Sequence, residues 1–184
     1  AFSPDSEHLS FISKRGEGDS AKSQVWIMPL FGGEARQLSD AENNVGAYKW
    51  SPTGDRIAFS MQDPFSEERE REIEEKRDVI LVDQQPRYSH LHVVPMSDSS
   101  SKSSKSVQIT AGELVVGDFS WSPDGGEIAF SHKPTADLNV ANQHGDISIV
   151  TVPSSSSIVA SSTNNGPDLE GPRDPLHLGQ LRSL

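Results

Sequence analysis

The sequence predicts an all-β fold, and a threefold repeat is the main observation behind this prediction. A short segment built from an aromatic residue, serine and proline occurs at residues 2–5, 50–54 and 121–125. Each copy is followed by an apolar strand and then by further strand-like segments. Two hairpins per repeat make a four-stranded antiparallel sheet, which is the blade of a β-propeller. We therefore predict a partial β-propeller of about three four-stranded antiparallel blades.

Each copy of the repeat is expected to be a turn followed by a strand with a buried face. Proline fixes φ and glycine adopts positive φ at no steric cost, so the segment is typical of a turn. Downstream, Ile57 and Phe59 share one face of a strand. Ile128 and Phe130 do the same in the third copy. A single Trp-Ser-Pro is usually an ordinary surface turn, but three copies with one downstream pattern favour a repeat.

The later strands of each blade follow from the same pattern. The predicted third strands are 25–30, 91–96 and 147–152, and the predicted fourth strands are 35–39 and 107–110. The repeat prolines are 48 residues apart between the first two copies and 71 apart between the last two, so the second blade carries an insertion. We place the blades at 1–40, 45–110 and 116–152, within one propeller part that covers 1–152.

Two segments do not fit the strand pattern. The insertion at 62–78 alternates in charge, and Ser66 with i,i+4 acid–base pairs predicts a charged helix in which Ile73 is the single apolar residue after Phe65. This helix is either a solvated excursion at a blade edge or an arm that contacts a partner subunit or covers an entrance. The tail at 153–184 is rich in Ser, Asn, Gly and Pro and is predicted to be disordered, and the Ser-rich loop at 97–106 to be mobile.

Composition excludes several classes of function. The net charge of −11 argues against binding to nucleic acid, which requires clustered Lys and Arg. No apolar run approaches the roughly 18 residues of a membrane helix, so no membrane partner is expected. There is no cysteine, hence no disulfide framework and no thiolate chemistry. The absence of cysteine favours a cytoplasmic location, although the N-terminus is expected to be incomplete because the chain starts inside a repeat.

The sequence contains no recognisable catalytic constellation. A Gly-x-Ser-x-Gly string is absent, and Ser122 lies inside a repeat turn. The glycine pairs at 32–33 and 125–126 are interpreted as hairpin turns rather than phosphate loops. His90 and His92, at i,i+2, could ligate a metal with a nearby carboxylate, but such a pair is more often ordinary strand packing. We predict no catalytic, cofactor-binding or metal-binding residue in this chain, and no cofactor.

Several segments together carry a family resemblance. They are FISKRGEG at 11–18, QVWI at 24–27, GGEARQL at 32–38 and RYSHLHVV at 87–94, with the long acidic excursion before the last of them. Over 1–152 the chain resembles the N-terminal propeller of prolyl oligopeptidase family serine peptidases, in the acylaminoacyl-peptidase and dipeptidyl-peptidase branch. The Trp-Ser-Pro-Asp-Gly hairpin alone is shared with TolB-like propellers.

The resemblance implies a function that depends on a second domain. The family's Ser-Asp-His triad belongs to a C-terminal α/β-hydrolase domain that this sequence does not contain, so the chain is expected to be a fragment or truncated product. The expected function is a non-catalytic propeller segment that caps the active site and restricts substrates to short peptides. The implied partners are that hydrolase domain, short peptides and, as an open question, a second copy of the chain.

Two other interpretations stay open. One is a TolB-like propeller scaffold for protein interaction without catalysis, and the other is a gene-model artefact with no independent function.

The sequence departs from the family's pattern at one place. The family's longer segment facing the substrate cavity is reduced to residues 84–86 here, so the resemblance transfers no substrate-gripping residue to this chain.

Overall fold

The computed structural model describes residues 1–15, 21–65, 71, 87–96, 104–133, 145–154 and 182–183. The predicted all-β fold is confirmed in this part of the chain, which contains eleven strands. The strands are β1 His8–Lys14, β2 Ser23–Pro29, β3 Arg36–Gln37, β4 Val45–Trp50, β5 Arg56–Gln62, β6 Ser89–Pro95, β7 Val107–Gln108, β8 Val115–Trp121, β9 Glu127–Lys133, β10 Asp146–Thr151 and β11 Arg182–Ser183.

The strands pair with their sequence neighbours in antiparallel order. We call β1–β3 the first sheet, β4–β7 the middle sheet and β8–β11 the third sheet. The middle and third sheets are joined by one parallel residue pair, Ser89 with Val115. A single antiparallel bridge pairs Phe2 with Leu9 of the first sheet. The antiparallel order predicted from the repeat is therefore observed, whereas the blade count and the domain boundaries stay predictions.

The three repeat turns share one hydrogen-bond pattern, which confirms the turns predicted from the Ser-Pro segments. In each copy the serine N–H donates to the carbonyl five residues later, at 2.9, 3.0 and 2.9 Å for Ser3, Ser51 and Ser122. The serine hydroxyl also donates to a carboxylate within the turn, as in Ser122 Oγ to Asp124 Oδ1 at 2.5 Å. Because the side chain and the backbone close the same loop, each turn holds its strands in fixed register.

Two apolar cores cover the opposite faces of the middle sheet. The core shared with the first sheet contains Val25, Ile27, Leu38, Ala41, Val45, Ile57, Phe59, Met61 and Val94. The core shared with the third sheet contains Ala58, Leu91, Val93, Ile109, Leu114, Val116, Phe119, Ile128, Phe130, Val150 and Val152. Ile57, Phe59, Ile128 and Phe130 are all buried, as predicted. Ala58 is buried too, because the third sheet packs on the face of β5 opposite Ile57 and Phe59.

Several predicted features fall largely outside the described residues. The helix predicted within 62–78 is one, since only 62–65 and Arg71 of that range are described. Residues 97–103 of the serine-rich loop and 155–181 of the tail are also outside. Two tail residues form β11 and pair with Ser148 and Ile149 of β10. Among the described residues, no helix has the length and apolar composition needed to cross a lipid bilayer.

Candidate functional site

Titratable side chains come together at the base of the long insertion, where β5 ends and β6 begins. The backbone leaves the sheet after Gln62 and returns at Ser89. The N–H of Asp63 donates to the carbonyl of Tyr88 at 3.0 Å, so the two ends of the insertion are tied together. The neck cluster, as we name this group, consists of Asp63, Phe65, Arg87, Tyr88, His90 and Thr110.

His90 occupies the centre of the neck cluster and is only 4% exposed. Its Nδ1 lies 3.3 Å from Thr110 Oγ1, and its Nε2 lies 3.4 Å from Asp63 Oδ2. His90 Nε2 faces the Asp63 carboxylate, which can only accept, so we assign the imidazole proton to Nε2. In this tautomer Nδ1 accepts from the Thr110 hydroxyl, whose oxygen also accepts the N–H of Leu91 at 2.9 Å.

The order Thr110, His90, Asp63 has the connectivity of a hydrolase triad, but the geometry excludes that role. A nucleophilic hydroxyl must reach a substrate carbonyl while its neighbour accepts the proton. Thr110 has 0% exposure, and its oxygen is already occupied by the Leu91 N–H. The three side chains therefore act as a joint that fastens β6 to the segment after β7 and to the start of the insertion.

Two further contacts strengthen the neck cluster. The Arg87 guanidinium carbon lies 4.1 Å from the centre of the Phe65 ring, a cation–π geometry worth about 0.5–1 kcal/mol at an exposed site. The pKa of Tyr88 is raised, first by desolvation and then by the negative charge and hydrogen bond of Glu113. Both contacts join residues on either side of the insertion or its neighbouring loop, so the two described ends of the insertion are fastened to the sheet.

His92 lies two residues along β6 and points to the core shared with the first sheet. Its ring is stacked on Phe59, with centroids 5.4 Å apart and planes at 14°. Burial, and secondarily the proximity of His90, lower the pKa of His92 to about 4, so the ring is neutral near pH 7. Its buried Nε2 has no hydrogen-bond partner among the described residues.

Neither histidine of β6 belongs to a group of three possible metal ligands among the described residues. Within the described ranges, one group of three side chains, Asp5, Glu7 and His8, brings its ligand atoms within 4.8 Å of one another. His90 and His92 form no such group with the described carboxylates. The Asp5 carboxylate already accepts the Ser3 hydroxyl and the Glu7 N–H, which lower its pKa. The position of the Asp5 carboxylate is thus explained by its hydrogen bonds within the first repeat turn.

The neck cluster was not predicted from the sequence. The available signal was position: Asp63 and Arg87 flank the insertion, His90 lies at the start of β6, and Thr110 lies just after β7.

Ser122 lies in the third repeat turn, as predicted from the sequence. Its hydroxyl belongs to the third repeat turn and also accepts the Glu127 N–H at 2.9 Å.

Comparison with known proteins identifies the kind of propeller this is. No family model matches the chain. Over 157 residues it is 31% identical to the uncharacterized peptidase YuxL of Bacillus subtilis (strain 168). The resemblance to the propeller of prolyl oligopeptidase family peptidases is confirmed. The match covers 78% of this chain but 23% of YuxL, so the chain spans about a quarter of the length of this relative.

Solved structures with similar coordinates show the same fold. A protein assigned as TolB from Agrobacterium tumefaciens matches with a TM-score of 0.51 and 15% identity, covering 82% of this chain and 44% of that one. Hydrazine synthase of Kuenenia stuttgartiensis matches at 0.52 and 16%, covering 88% and 42%. The acylaminoacyl peptidase of Pyrococcus horikoshii matches at 0.52 and 15%, covering 83% and 23%. The described fold is thus a TolB-like propeller segment.

Proposed function

We propose that this chain is a non-catalytic propeller segment of a serine peptidase, which caps the active site and restricts substrates to short peptides. The observation that carries the proposal is the 31% identity to YuxL, a peptidase of which the match spans only 23%. The hydrolase domain of the same polypeptide is the proposed partner of the segment, and short peptides are the proposed substrates.

The packing of the described sheets supports a role as a rigid wall. The middle sheet is covered on both faces by apolar cores, and its largest core side chain, Phe59, is completely buried. A wall that excludes long substrates must resist opening, and close packing of this kind resists it. The buried Thr110 hydroxyl in the neck cluster agrees with a chain that shapes a cavity and leaves bond cleavage to another domain.

A first experiment tests the non-catalytic part of the proposal. The 184-residue chain is incubated with a fluorophosphonate probe for activated serines and with chromogenic acyl-amino-acid and dipeptide substrates. We expect no labelled serine and no hydrolysis above the buffer rate. Labelling of one serine together with turnover at enzyme-like rates would overturn the assignment as a non-catalytic segment.

A second experiment tests the cap itself by transplanting the segment into YuxL. The matched part of YuxL is replaced by this chain, and hydrolysis is measured on a series of peptides of increasing length. We expect the chimera to cleave the short peptides and to lose activity as peptide length increases. A folded chimera that cleaves long peptides as well as short ones would show that the segment does not restrict access.

A TolB-like scaffold without catalysis is the second candidate function. The observation behind it is the match to the protein assigned as TolB, which covers 82% of this chain with a TM-score of 0.51. The continuing reading frame distinguishes the two functions. An in-frame Gly-x-Ser-x-Gly segment supports the peptidase, whereas further repeats followed by a stop codon support the scaffold.

A further inference from the structure

The joint around His90 has an equivalent in the first sheet, at Gln24. Each of these side chains belongs to the residue that pairs across the sheet with the position ten residues after the turn serine, Ser13 for Gln24 and Met61 for His90. Both are buried, with exposures of 7% and 4%. We call the group around Gln24 the first joint and the group around His90 the second joint.

Each joint contains a buried hydroxyl from the segment after the outer strand, Ser39 in the first and Thr110 in the second. Each hydroxyl oxygen accepts the N–H of the residue that follows the joint side chain, at 2.9 Å in both copies. Ser39 Oγ donates its own proton to Gln24 Oε1 at 2.6 Å, because an amide oxygen can only accept. The equivalence supports the tautomer assigned to His90, in which Nδ1 accepts from Thr110.

The two joints differ in what the remaining polar atom of the side chain contacts. In the first joint, Gln24 Nε2 donates to the Ala41 carbonyl at 2.9 Å, so every member is neutral. In the second joint, His90 Nε2 lies 3.4 Å from Asp63 Oδ2, and the Asp63 side chain is 39% exposed. The joint at the base of the insertion therefore combines a titratable ring with a carboxylate that solvent reaches.

Asp63 is the charged group that contacts the His90 ring in the described part of the chain. The other titratable or charged groups around the second joint come from β6, from the residues before it and from the segment after β7. They are His92, whose ring is neutral near pH 7, Arg87, which lies over Phe65, and Tyr88, which is hydrogen-bonded to Glu113. A positive charge on His90 would thus be balanced by Asp63.

We propose that His90 and Asp63 form a proton-responsive joint, in which proton uptake shifts the hold on the base of the insertion from Thr110 to Asp63. The added proton comes from solvent and binds Nδ1, which then no longer accepts from the Thr110 hydroxyl. On the opposite side of the ring, the Nε2–H bond to Asp63 becomes charge-assisted, and such bonds are about twice as strong as neutral ones. Histidine is the side chain suited to this change between about pH 5 and 8.

Asp63 is the residue that allows the buried ring to carry a charge. An unpaired buried charge is costly, so without the carboxylate the folded chain would bind the proton less readily than the unfolded chain. The unfolded chain would then bind more protons, and stability would fall as the pH decreases. With Asp63 present, the ion pair offsets this loss.

A double-mutant cycle on the full chain tests the coupling. Urea midpoints are measured at pH 8 and pH 5.5, both above the range in which carboxylates usually titrate. Asp63→Asn should lower the midpoint by about 0.5 M more at pH 5.5 than at pH 8. In the His90→Gln background, which copies the first joint, this extra loss should vanish. Glu127→Gln, which removes a charge at an exposed position of β9, is the control and should keep the wild-type pH profile.

Nuclear magnetic resonance of the His90 ring separates a proton response from a merely structural role. At pH 8 we expect the ring proton on Nε2, and in Asp63→Asn the ring should take up its second proton at a lower pH than in the wild type. Asp63→Ser replaces Asp63→Asn if the latter loses its native circular dichroism. A wild-type ring that carries its proton on Nδ1 at pH 8, or a titration that does not move when Asp63 is replaced, would overturn the proposal.

Discussion

One position in the repeat turn shows how a single residue sets local strain. Gly54 and Gly125 have φ values of +74° and +72°, whereas the first copy has Ser6 there with φ +60°. Left-handed backbone costs an L-residue about 1–2 kcal/mol, so the first turn is strained where the other two are not. A Cβ built on Gly54 would lie 3.6 Å from Pro4, ordinary contact, so conformation rather than space favours glycine here.

Replacing Ser6 by glycine is therefore expected to stabilise the protein. Relief of about 1–2 kcal/mol of left-handed strain exceeds the roughly 0.5–1 kcal/mol of added chain entropy that glycine loses on folding. A net gain of about 0.5 kcal/mol should appear as a higher urea midpoint. The mirror variant Gly54→Ser should lower the midpoint by a similar amount. Equal midpoints for all three proteins would contradict this account.

A second residue-scale feature is the buried neutral imidazole of His92. Its pKa is lowered from 6.5 to about 4 in the folded state. The unfolded chain therefore binds more protons between these values, and stability rises with pH there. The contribution of neutral His92 to the free energy of unfolding is fully present above about pH 6.5. It is lost as the pH falls toward 4, which lowers the free energy of unfolding by about 3 kcal/mol in total.

His92→Phe should remove this dependence while keeping a ring against Phe59. We expect the unfolding free energies of the variant and the wild type to diverge as the pH falls from 7 to 4, with the variant losing less. Acids such as Asp118, whose pKa is lowered by its hydrogen bond from Lys49, titrate alike in both proteins and cancel in the difference. Parallel pH profiles would show that His92 is not the titrating group.

At the scale of single strands, β4 and β8 carry the same irregularity. Their pairing with β5 and β9 shifts register next to Gly46 and Gly117. A Cβ on Gly117 would lie 2.7 Å from the Ser131 hydroxyl, which accepts the Asp118 N–H at 3.0 Å. These two glycines are required by close approach, since a methyl group would displace the serine that satisfies the bulge.

Gly117→Ala is expected to cost about 1–3 kcal/mol, because the methyl group forces Ser131 from its hydrogen bond. Chemical denaturation measures the loss. Gly145→Ala is the control, since the only described neighbour within reach of its added Cβ is a carbonyl oxygen at 4.0 Å. The double variant Gly117→Ala/Ser131→Ala should lose less free energy of unfolding than the two single variants lose in sum. Strict additivity would mean that the two side chains do not meet.

The strands themselves were predictable because the repeat supplies a local signal three times. Phe59 and Phe130 were expected in the core on alternation alone, and both are buried. The burial of Ala58 was not expected, since it depends on a third sheet covering the second face of β5. The neck cluster was missed for the same kind of reason. Asp63 and His90 meet only through the register of β5 with β6 across a long insertion.

At the scale of the whole molecule, Arg56 ties distant segments together. It is 8% exposed, and its two terminal nitrogens donate to the Pro153 carbonyl at 2.6 Å and the Gly125 carbonyl at 3.2 Å. Its guanidinium carbon also lies 5.6 Å from the Trp121 ring centroid. One side chain of the middle sheet thus holds both the third repeat turn and the chain leaving β10.

Arg56→Lys should destabilise the protein by about 1–2 kcal/mol, because a single ammonium cannot reproduce the forked contact with two carbonyls. Hydrogen exchange offers a local readout. The Val152 amide, bonded to the Gly126 carbonyl at 2.9 Å, should exchange faster in the variant. Lys133→Ala, an exposed control, should change stability by less than about 0.5 kcal/mol. Unchanged exchange at Val152 would show that Arg56 does not fasten this end.

The short outer strands have a consequence for misassembly. Within the described residues, β3, β7 and β11 are two residues long each, so these three strands offer an incoming chain only a short row of amides and carbonyls. Amyloid growth begins when an exposed edge templates a foreign strand over several residues. The three short strands deny this template, so a foreign strand that adds to the described sheets would pair at one of the longer edge strands, β1 or β4.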